Sequence, residues 1–300
     1  MFHLSLSRTH RERNFEKAHT RLSSWVAIAI ACLCAVSWAT GLRVGDVYGA
    51  EVWKPVPMTT WQWQLTGTVD QSFNVQAYDI DLFDNNASVI SSLHSKGRKV
   101  ICYLSAGTWE DWRPDAGQFP DSVKGSGNGW PGEKWLDIRQ ISILGPIMEA
   151  RMDLAVQKGC DAIEPDNIDG YTNGTGFPLT ANDQLAYNRF LANAAHQRGL
   201  SIGLKNDLDQ VSILVNDFDW ALNEQCNEYN ECNTLIPFIN AGKAVFNAEY
   251  SGNTATFCPK MNNMKISSIK KNLDLDAPMT PCWTGTDNQA PGAPRSLRTR

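Results

Sequence analysis

The chain has 300 residues, of which 42% are hydrophobic and 10% aromatic, and it carries a formal net charge of -5. A chain of this length and composition can bury a full-sized core, as one large α/β domain or two small ones. The first fifty residues hold six Lys and Arg against three Asp and Glu, so the remainder has 21 basic and 29 acidic residues and a net charge of -8. An acidic body argues against nucleic acid as a ligand and is compatible with a neutral or cationic substrate.

The N-terminus has the pattern of a targeting segment. A basic stretch that ends at Arg21 precedes an apolar run over residues 25–39, and small residues follow that run. Fifteen or so apolar residues are many for the core of a signal peptide and fewer than the ~20 that span a bilayer. The pattern favours a secretory signal within residues 1–50 over a membrane anchor through residues 23–39. Both interpretations place the body of the protein outside the cytosol.

Cysteine usage fits an oxidising compartment. Cys102 and Cys160 lie in or beside apolar runs, so they are expected to be buried thiols. Four later cysteines lie in loop-like sequence and allow three disulfide connectivities. Sequence proximity favours the pairs Cys226–Cys232 and Cys258–Cys282.

Other surface and ligand signals are few. Two N-glycosylation sequons, at Asn86 and Asn173, fit a secreted protein. The chain has no CxxC pair and no Cys/His cluster, so neither a zinc site nor another cofactor is expected. We expect a monomer.

One junction recurs along the chain: a helix-like stretch, a polar or small residue, Gly, and then an apolar strand. Gly just past a helix adopts the left-handed conformation that ends the helix. Four such repeats indicate βα units and a parallel sheet. The junction glycines are Gly97, Gly159, Gly199 and Gly242.

Eight βα units within about 230 residues predict a single (β/α)8 barrel of the TIM type. A doubly wound open sheet is the rival, but no Gly-rich phosphate loop follows the first strand. The barrel is expected over residues 51–283 and a disordered tail rich in Pro, Gly and Arg over residues 284–300. The candidate strands are residues 61–65, 75–78, 100–104, 135–138, 162–164, 201–204, 220–222 and 244–248.

Polar residues follow most of these strands. The clearest case is residues 160–171, where an apolar strand runs into a group of carboxylates although an unpaired buried charge is costly. Because the active site of a barrel lies at the carboxyl ends of its strands, carboxylates from at least four strands are expected to converge there. The strand-end residues are Asp79, Asp81, Ser105, Asp137, Asp166, Asn167, Asp169, Lys205, Asn206, Asp207, Asn223, Glu224, Glu249 and Tyr250.

Other common catalytic residues are scarce. His94 and His196 precede junction glycines at the opposite end of the barrel, the remaining three His lie in the first nineteen residues, and GxSxG and P-loop motifs are absent. Paired carboxylates that flank a glycosidic bond are the commonest carboxylate chemistry. Nine aromatic residues near the strand ends support a sugar ligand, and three or four are expected to contact it. They are Trp61, Trp63, Tyr78, Tyr103, Trp109, Trp112, Trp130, Tyr171 and Tyr250.

Four motifs taken in order, YDID at 78–81, CYLSAG at 102–107, AIEPDN at 162–167 and LKN at 204–206, resemble glycoside hydrolase family 114. The resemblance covers residues 61–250. It implies a (β/α)8 barrel with endo-α-1,4-polygalactosaminidase activity, which cleaves within galactosamine-containing polysaccharides such as fungal galactosaminogalactan. It also implies that Asp166 and Glu224 are the catalytic pair.

Roles for this pair follow from their surroundings. Asp166 lies beside Asn167 and expected amide donors, which favour the ionised form and make Asp166 the expected nucleophile. The strand residues that precede Glu224 are more apolar, which favours its protonated form and the role of general acid/base. Retention needs the carboxyl groups ~5–5.5 Å apart and inversion ~6.5–9.5 Å; the sequence leaves both open, and we favour retention.

Four further acids are expected to bind the hydroxyl groups or the ammonium of the substrate: Asp79, Asp81, Asp137 and Glu164. Asp81 is also suited to capping a helix. Two other functions stay open: a carbohydrate-binding barrel without activity, and a metal-dependent hydrolase that uses the acidic cluster. The residues expected to bind substrate are Trp63, Asp79, Asp81, Tyr103, Asp137, Glu164, Asn167, Lys205, Asn206, Glu249 and Tyr250.

Overall fold

The computed structural model describes residues 52–283, which form twelve strands and six α-helices. The strands are β1 (Trp61–Gln64), β2 (Ala77–Asp81), β3 (Lys99–Ser105), β4 (Thr108–Glu110), β5 (Lys124–Gly127), β6 (Glu133–Leu136), β7 (Ala162–Asp166), β8 (Ser201–Lys205), β9 (Trp220–Glu224), β10 (Val245–Glu249), β11 (Ser267–Lys271) and β12 (Met279–Pro281). The helices are α1 (Ala87–Ser95), α2 (Ile141–Lys158), α3 (Ala181–Gln197), α4 (Val211–Leu214), α5 (Ile236–Asn240) and α6 (Thr254–Asn263).

Eight strands pair in parallel in the order β1-β2-β3-β7-β8-β9-β10-β11, and the helices cover the outside of this sheet. The predicted (β/α)8 barrel is therefore confirmed. Its interior is filled by large side chains such as Trp61, Trp220 and Phe246, which are fully buried and pack ring against ring. Each parallel strand ends on the same side of the sheet, so the side chains that follow the strands are brought together there.

The helix-ending signals are confirmed. All four junction glycines have positive φ angles, between 72° and 92°. At the other end of α3, the Thr180 hydroxyl accepts a hydrogen bond from the Asp183 amide, and the Asp183 carboxylate accepts one from the Thr180 amide. This reciprocal pair is the capping box, which fixes where α3 begins.

Two strand assignments from the sequence were wrong. Residues 135–138 do not form a barrel strand, because β6 pairs antiparallel with β4 and β5 in a separate three-stranded sheet between β3 and α2. The eighth parallel strand is β11, which the sequence did not reveal because it contains Ser267, Ser268 and two lysines. One of its buried hydroxyls has a partner, since Ser268 Oγ accepts a hydrogen bond from Asn247 Nδ2 at 2.9 Å.

Closure of the barrel between β1 and β11 relies on side chains. Within residues 52–283 no backbone ladder joins these two strands, and the antiparallel β12 pairs with β11 instead. Trp61 Nε1 donates to the Ser267 carbonyl at 2.8 Å, and Lys271 Nζ donates to Gln62 Oε1 at 3.2 Å. These bonds hold the first strand against the last.

Three disulfides cross-link the barrel. Cys226–Cys232 and Cys258–Cys282 form as sequence proximity favoured. The expectation that Cys102 and Cys160 are free thiols was wrong, because they form a third disulfide with a Cα–Cα distance of 6.0 Å. Cys102 lies on β3 and Cys160 just before the adjacent β7, so the sheet brings two cysteines together that lie 58 residues apart.

Several predictions concern residues outside the described range. The signal or anchor segment within residues 1–50, the attachment through residues 23–39 and the tail over residues 284–300 all lie there, and the domain boundaries stay a prediction. Among the helices of residues 52–283, none combines the length and apolar character needed to cross a membrane.

We expect the Cys102–Cys160 disulfide to stabilise the fold more than the Cys226–Cys232 disulfide. A cross-link that closes a longer loop removes more entropy from the unfolded chain, and the two separations are 58 and 6 residues. Replacing both Cys102 and Cys160 by Ser should lower the free energy of unfolding in urea by about 2–4 kcal/mol. The matched Cys226→Ser/Cys232→Ser variant should lose less, and an equal or larger loss would contradict this ranking.

Candidate active site

A cleft of about 800 Å³ opens at the carboxyl ends of the parallel strands. Side chains from seven of the eight strands or the residues directly after them reach it, which is why the sequence pattern of apolar strands followed by polar residues pointed to this end. Its strand-end lining residues are Trp63, Asp81, Tyr103, Asp166, Asn167, Lys205, Asn206, Glu224 and Tyr250.

The Lys205 ammonium lies at the centre of the cleft floor. Its Nζ is 2.7 Å from Glu164 Oε1, 2.9 Å from Asp166 Oδ1 and 3.4 Å from Glu224 Oε2. The side chain is only 2% exposed. Burial alone would lower the pKa of Lys205, but the surrounding carboxylates outweigh it and raise the pKa well above its ordinary value. Lys205 is therefore a fixed positive charge.

Asp166 ends β7 with both carboxylate oxygens bound to donors. Oδ1 accepts from Lys205 and from the Asn167 amide at 2.8 Å, and Oδ2 accepts from the Tyr103 hydroxyl at 3.0 Å. Burial and the charge of Asp166 raise the pKa of Tyr103 well above its ordinary value, so Tyr103 keeps the proton that it donates. These donors fix the orientation of the Asp166 carboxylate. One fifth of its side chain remains open to the cleft.

Glu224 ends β9 on the other side of Lys205, with 27% of its side chain exposed to the cleft. Oε1 accepts a short hydrogen bond from the Tyr250 hydroxyl, and Oε2 accepts one from Asn206 Nδ2 at 3.3 Å. Asn206 Oδ1 in turn accepts from the Glu224 amide at 3.0 Å, so a single Asn fixes both ends of this residue. Glu224 is thus held in one orientation without being buried.

The backbone turns sharply just after the strands that carry these groups. Asn167, Asn206 and Gln225 follow Asp166, Lys205 and Glu224, and their φ angles are 62°, 51° and 63°. Residues other than Gly seldom adopt a positive φ angle, and among them Asn tolerates it best. This conformation lets the Asn167 amide turn back to Asp166 Oδ1. Local backbone strain of this kind clusters at functional sites.

Four residues that were expected to bind substrate do not line the cleft. Asp79 and Glu164 are fully buried beneath Lys205. Asp137 accepts two hydrogen bonds from the Arg139 guanidinium, which also lower its pKa, and it follows β6 rather than a barrel strand. The sequence placed these residues at the cleft because alternation along a strand does not reveal how deep a side chain lies.

Glu249 is the fourth of these residues. Its carboxylate accepts from the backbone amides of Asn227 and Glu228, in the loop that follows Glu224. It is 1% exposed. Together with the Cys226–Cys232 disulfide it fixes this loop, so it supports Glu224 rather than binding substrate.

Asp81 does line the cleft, but its charge is already paired. The Arg113 guanidinium donates two hydrogen bonds to Asp81, at 3.0 and 2.7 Å, and one to Glu110. Asp81 Oδ1 also accepts from the Phe83 and Asp84 amides, so it closes a turn instead of capping α1. The N-cap of α1 is Asn86, one of the two sequon residues.

The sequence pattern does not reveal the contribution of the small antiparallel sheet. Glu133 on β6 lines the cleft, where its carboxylate accepts from the Thr108 hydroxyl and from Asn167 Nδ2, and burial raises its pKa. Arg113 and Glu110 also come from this region. No apolar strand marks them in the sequence, since β5 and β6 are short and polar.

Five of the nine aromatic candidates line the cleft. Trp112 and Trp130 project from the loops around the small sheet and are 53% and 57% exposed. Trp61 and Tyr78 pack inside the barrel and are fully buried. The cleft-lining aromatic candidates are Trp63, Tyr103, Trp112, Trp130 and Tyr250.

Asn173, the second sequon residue, lies at the rim of the cleft with its side chain exposed. Within residues 52–283, no group of three or more His, Cys, Asp and Glu has the arrangement of a metal site. Glycosylation of Asn86 and Asn173 stays a prediction.

A (β/α)8 barrel that presents two facing carboxylates and several aromatic rings at the carboxyl ends of its strands has the architecture of a glycoside hydrolase. The model of glycoside hydrolase family GH114 matches residues 47–287. The chain belongs to this family, and it is a glycoside hydrolase.

Two solved structures are similar to this chain. The crystal structure of Aspergillus fumigatus Ega3 in complex with galactosamine is 42% identical to this chain, covers 79% of it and 100% of its own length, and superposes with a TM-score of 0.71. The glycoside hydrolase domain of PelA from Pseudomonas aeruginosa is 11% identical to this chain and covers 74% of it and 98% of its own length. Its TM-score of 0.59 shows a shared fold. A comparison with curated protein sequences found no match.

We expect Gly107 to be essential for the geometry around Asp166. A Cβ atom at Gly107 would lie 1.7 Å from the Asn167 carbonyl oxygen, so Gly107→Ala must displace the residue that donates to Asp166. Overpacking should lower the free energy of unfolding by about 1–3 kcal/mol, and kcat should fall as Asn167 moves. Gly117→Ala is the matched control, since a Cβ there meets nothing within 4 Å. Equal stability and kcat in the two variants would refute this expectation.

Proposed function

We propose that the protein is an endo-acting hydrolase of α-1,4-linked, galactosamine-containing polysaccharide, with Asp166 as nucleophile and Glu224 as general acid/base. One observation carries the proposal: Asp166 and Glu224 contact the same buried ammonium and both open into the cleft. The choice of sugar is supported by the relative Ega3, whose structure holds galactosamine.

The two roles follow from unequal contacts with Lys205. Nζ is 2.9 Å from Asp166 Oδ1 but 3.4 Å from Glu224 Oε2, and Glu224 is the more exposed of the two side chains, at 27% against 20%. The more closely held Asp166 is therefore assigned to nucleophilic attack. The more accessible Glu224 is assigned to proton transfer to the glycosidic oxygen.

The reaction then takes two steps. Asp166 attacks the anomeric carbon while Glu224 gives its proton to the leaving oxygen, so the glycosidic bond breaks and a glycosyl–Asp166 ester forms. Glu224, now ionised, takes a proton from water, and the resulting hydroxide displaces Asp166. Both residues return to their starting state with one water consumed.

The separation of the two carboxylates supports retention of configuration. Both contacts with Lys205 Nζ together limit the Oδ1–Oε2 distance between Asp166 and Glu224 to at most about 6.3 Å. Retaining enzymes hold these groups ~5–5.5 Å apart, whereas inverting enzymes need ~6.5–9.5 Å to admit a water between them. The shared ammonium thus favours the retaining geometry.

The charge of the cleft suits a cationic sugar. Its two lining cations, Arg113 and Lys205, are both paired with carboxylates inside the protein. Additional carboxylates line the walls and the rim and are free to attract an ammonium group. They include Asp84, Glu133, Asp169 and Asp274.

We further propose an extracellular location. Three disulfides are typical of a protein that folds in an oxidising compartment. Glycans on Asn86 and Asn173 would be compatible with the fold, because both side chains are exposed. An anchor through residues 23–39 and a monomeric state are also predictions.

The direct test is release of reducing ends from partially deacetylated galactosaminogalactan. Asp166→Asn should abolish release, since an amide does not form the ester, and Glu224→Gln should slow it about 10²–10⁴-fold because general acid catalysis is lost. Asp137→Asn, a buried carboxylate outside the cleft, is the control and should cleave like wild type.

Two outcomes would replace the proposal. Wild-type protein that binds the polysaccharide without cleaving it would indicate a carbohydrate-binding barrel. Cleavage that chelator abolishes, and that survives in Asp166→Asn, would indicate the metal-dependent alternative.

We expect the affinity for a cationic substrate to depend on Asp169. Burial, followed by the charge of Asp166, raises the pKa of Asp169 to about 6. The carboxyl is thus neutral below this pH and gains its attractive charge as pH rises through it, so KM should fall between pH 5 and 7. In Asp169→Asn this fall should be absent, and the same fall in both proteins would rule out the assignment.

Trp112 and Trp130 are expected to bind sugar units remote from the cleavage point. A flat, exposed indole stacks on the apolar face of a pyranose, and both rings line the cleft. Replacing both by Ala should raise KM about tenfold or more for long chains and much less for short oligosaccharides. Tyr229→Ala removes an aromatic ring that is 63% exposed but outside the cleft. This variant should leave KM unchanged for both long chains and short oligosaccharides.

A further inference from the structure

Two fully buried carboxyl groups, Asp79 on β2 and Glu164 on β7, lie beneath Lys205. Glu164 Oε1 accepts a hydrogen bond from Lys205 Nζ at 2.7 Å. Within residues 52–283, both oxygens of Asp79 and Oε2 of Glu164 have no N–H or O–H donor from any other group. A buried anion without donors is very unfavourable, so this part of the barrel must hold a proton.

The two carboxyl groups lie close enough for a hydrogen bond to form between them once one of them carries a proton. Burial raises the pKa of Asp79 well above its ordinary value, and the charge of Glu164 raises it further. Burial also raises the pKa of Glu164, to about 6, but the Lys205 ammonium beside it offsets part of that rise and favours the ionised form. The proton therefore belongs to Asp79.

We propose that Asp79 is a neutral carboxylic acid that donates a hydrogen bond to Glu164, and that this acid pair is a positioning device for Lys205. The pair fixes Glu164 Oε1 under the ammonium. The Lys205 ammonium is thereby held in the position in which it contacts both Asp166 and Glu224. The inference rests on the proposed function only in naming these two carboxylates as catalytic.

Charge balance explains why a neutral Asp79 suits the site. With Asp79 protonated, the Lys205 ammonium faces the carboxyl groups of Glu164, Asp166 and Glu224. An ionised Asp79 would add a further buried negative charge and draw Lys205 away from the cleft. The other groups that face the pair are the hydroxyls of Tyr103 and Tyr250 and the ring of Trp63, which lies 4.8 Å from Lys205 Nζ.

Thermal unfolding as a function of pH tests the protonation state without any substrate. A carboxyl whose pKa is higher in the folded than in the unfolded state stabilises the fold least at high pH, because the unfolded chain releases the proton first. Asp79→Asn keeps a neutral donor and removes this dependence. The melting temperature of Asp79→Asn minus that of wild type should therefore rise steadily from pH 4 to pH 8.

Asp137→Asn is the matched control for this measurement. Arg139 lowers the pKa of Asp137, so an ionised Asp137 stabilises the fold above its unfolded pKa. The melting-temperature difference for Asp137→Asn should fall over the same pH range. A falling difference for Asp79→Asn as well would show that Asp79 is ionised and would overturn the proposal.

Kinetics test the positioning role. Asp79→Ala removes the donor to Glu164, so its kcat should fall at least tenfold below that of Asp79→Asn, with KM changed less.

Glu164→Gln removes a negative charge near Glu224 and should move the alkaline limb of the kcat/KM profile to lower pH. Equal kcat in the two Asp79 variants, or an unmoved alkaline limb in a folded Glu164→Gln, would refute the role. Absence of cleavage by wild type would instead refute the proposed function and leave the melting result valid.

Discussion

The Lys205 ammonium is the group on which the rest of the site depends. Taking a charge out of water is costly, and the cost is offset here by carboxylates at 2.7, 2.9 and 3.4 Å. Removing any of the four charges would leave the others unbalanced inside the barrel. The ion cluster is therefore a weak source of stability but a strong determinant of geometry, because each carboxylate has only one position that satisfies it.

Much of this architecture could be predicted from the sequence, because its signals are local. The apolar run that ends at Asp166, the LKN segment around Lys205 and the glycines that end the helices each depend on a few neighbouring residues. The disulfides Cys226–Cys232 and Cys258–Cys282 also join segments that are close in sequence.

What the sequence did not reveal depends on contacts between distant segments. β11 is polar, and its burial is explained only by partners such as Asn247 on the adjacent strand. The Cys102–Cys160 disulfide requires β3 and β7 to be neighbours. The depth of Asp79 inside the barrel is likewise a property of the closed sheet, and no pattern along β2 distinguishes it from Asp81.

The unusual closure of the barrel has a consequence for its assembly. In a barrel closed by a full ladder no strand edge remains, whereas here β12 occupies the edge of β11 that would otherwise face β1. A chain that ended before Met279 would leave that edge without a partner. Exposed strand edges pair readily with other chains, so the last residues of the folded body protect each molecule against aggregation with its neighbours.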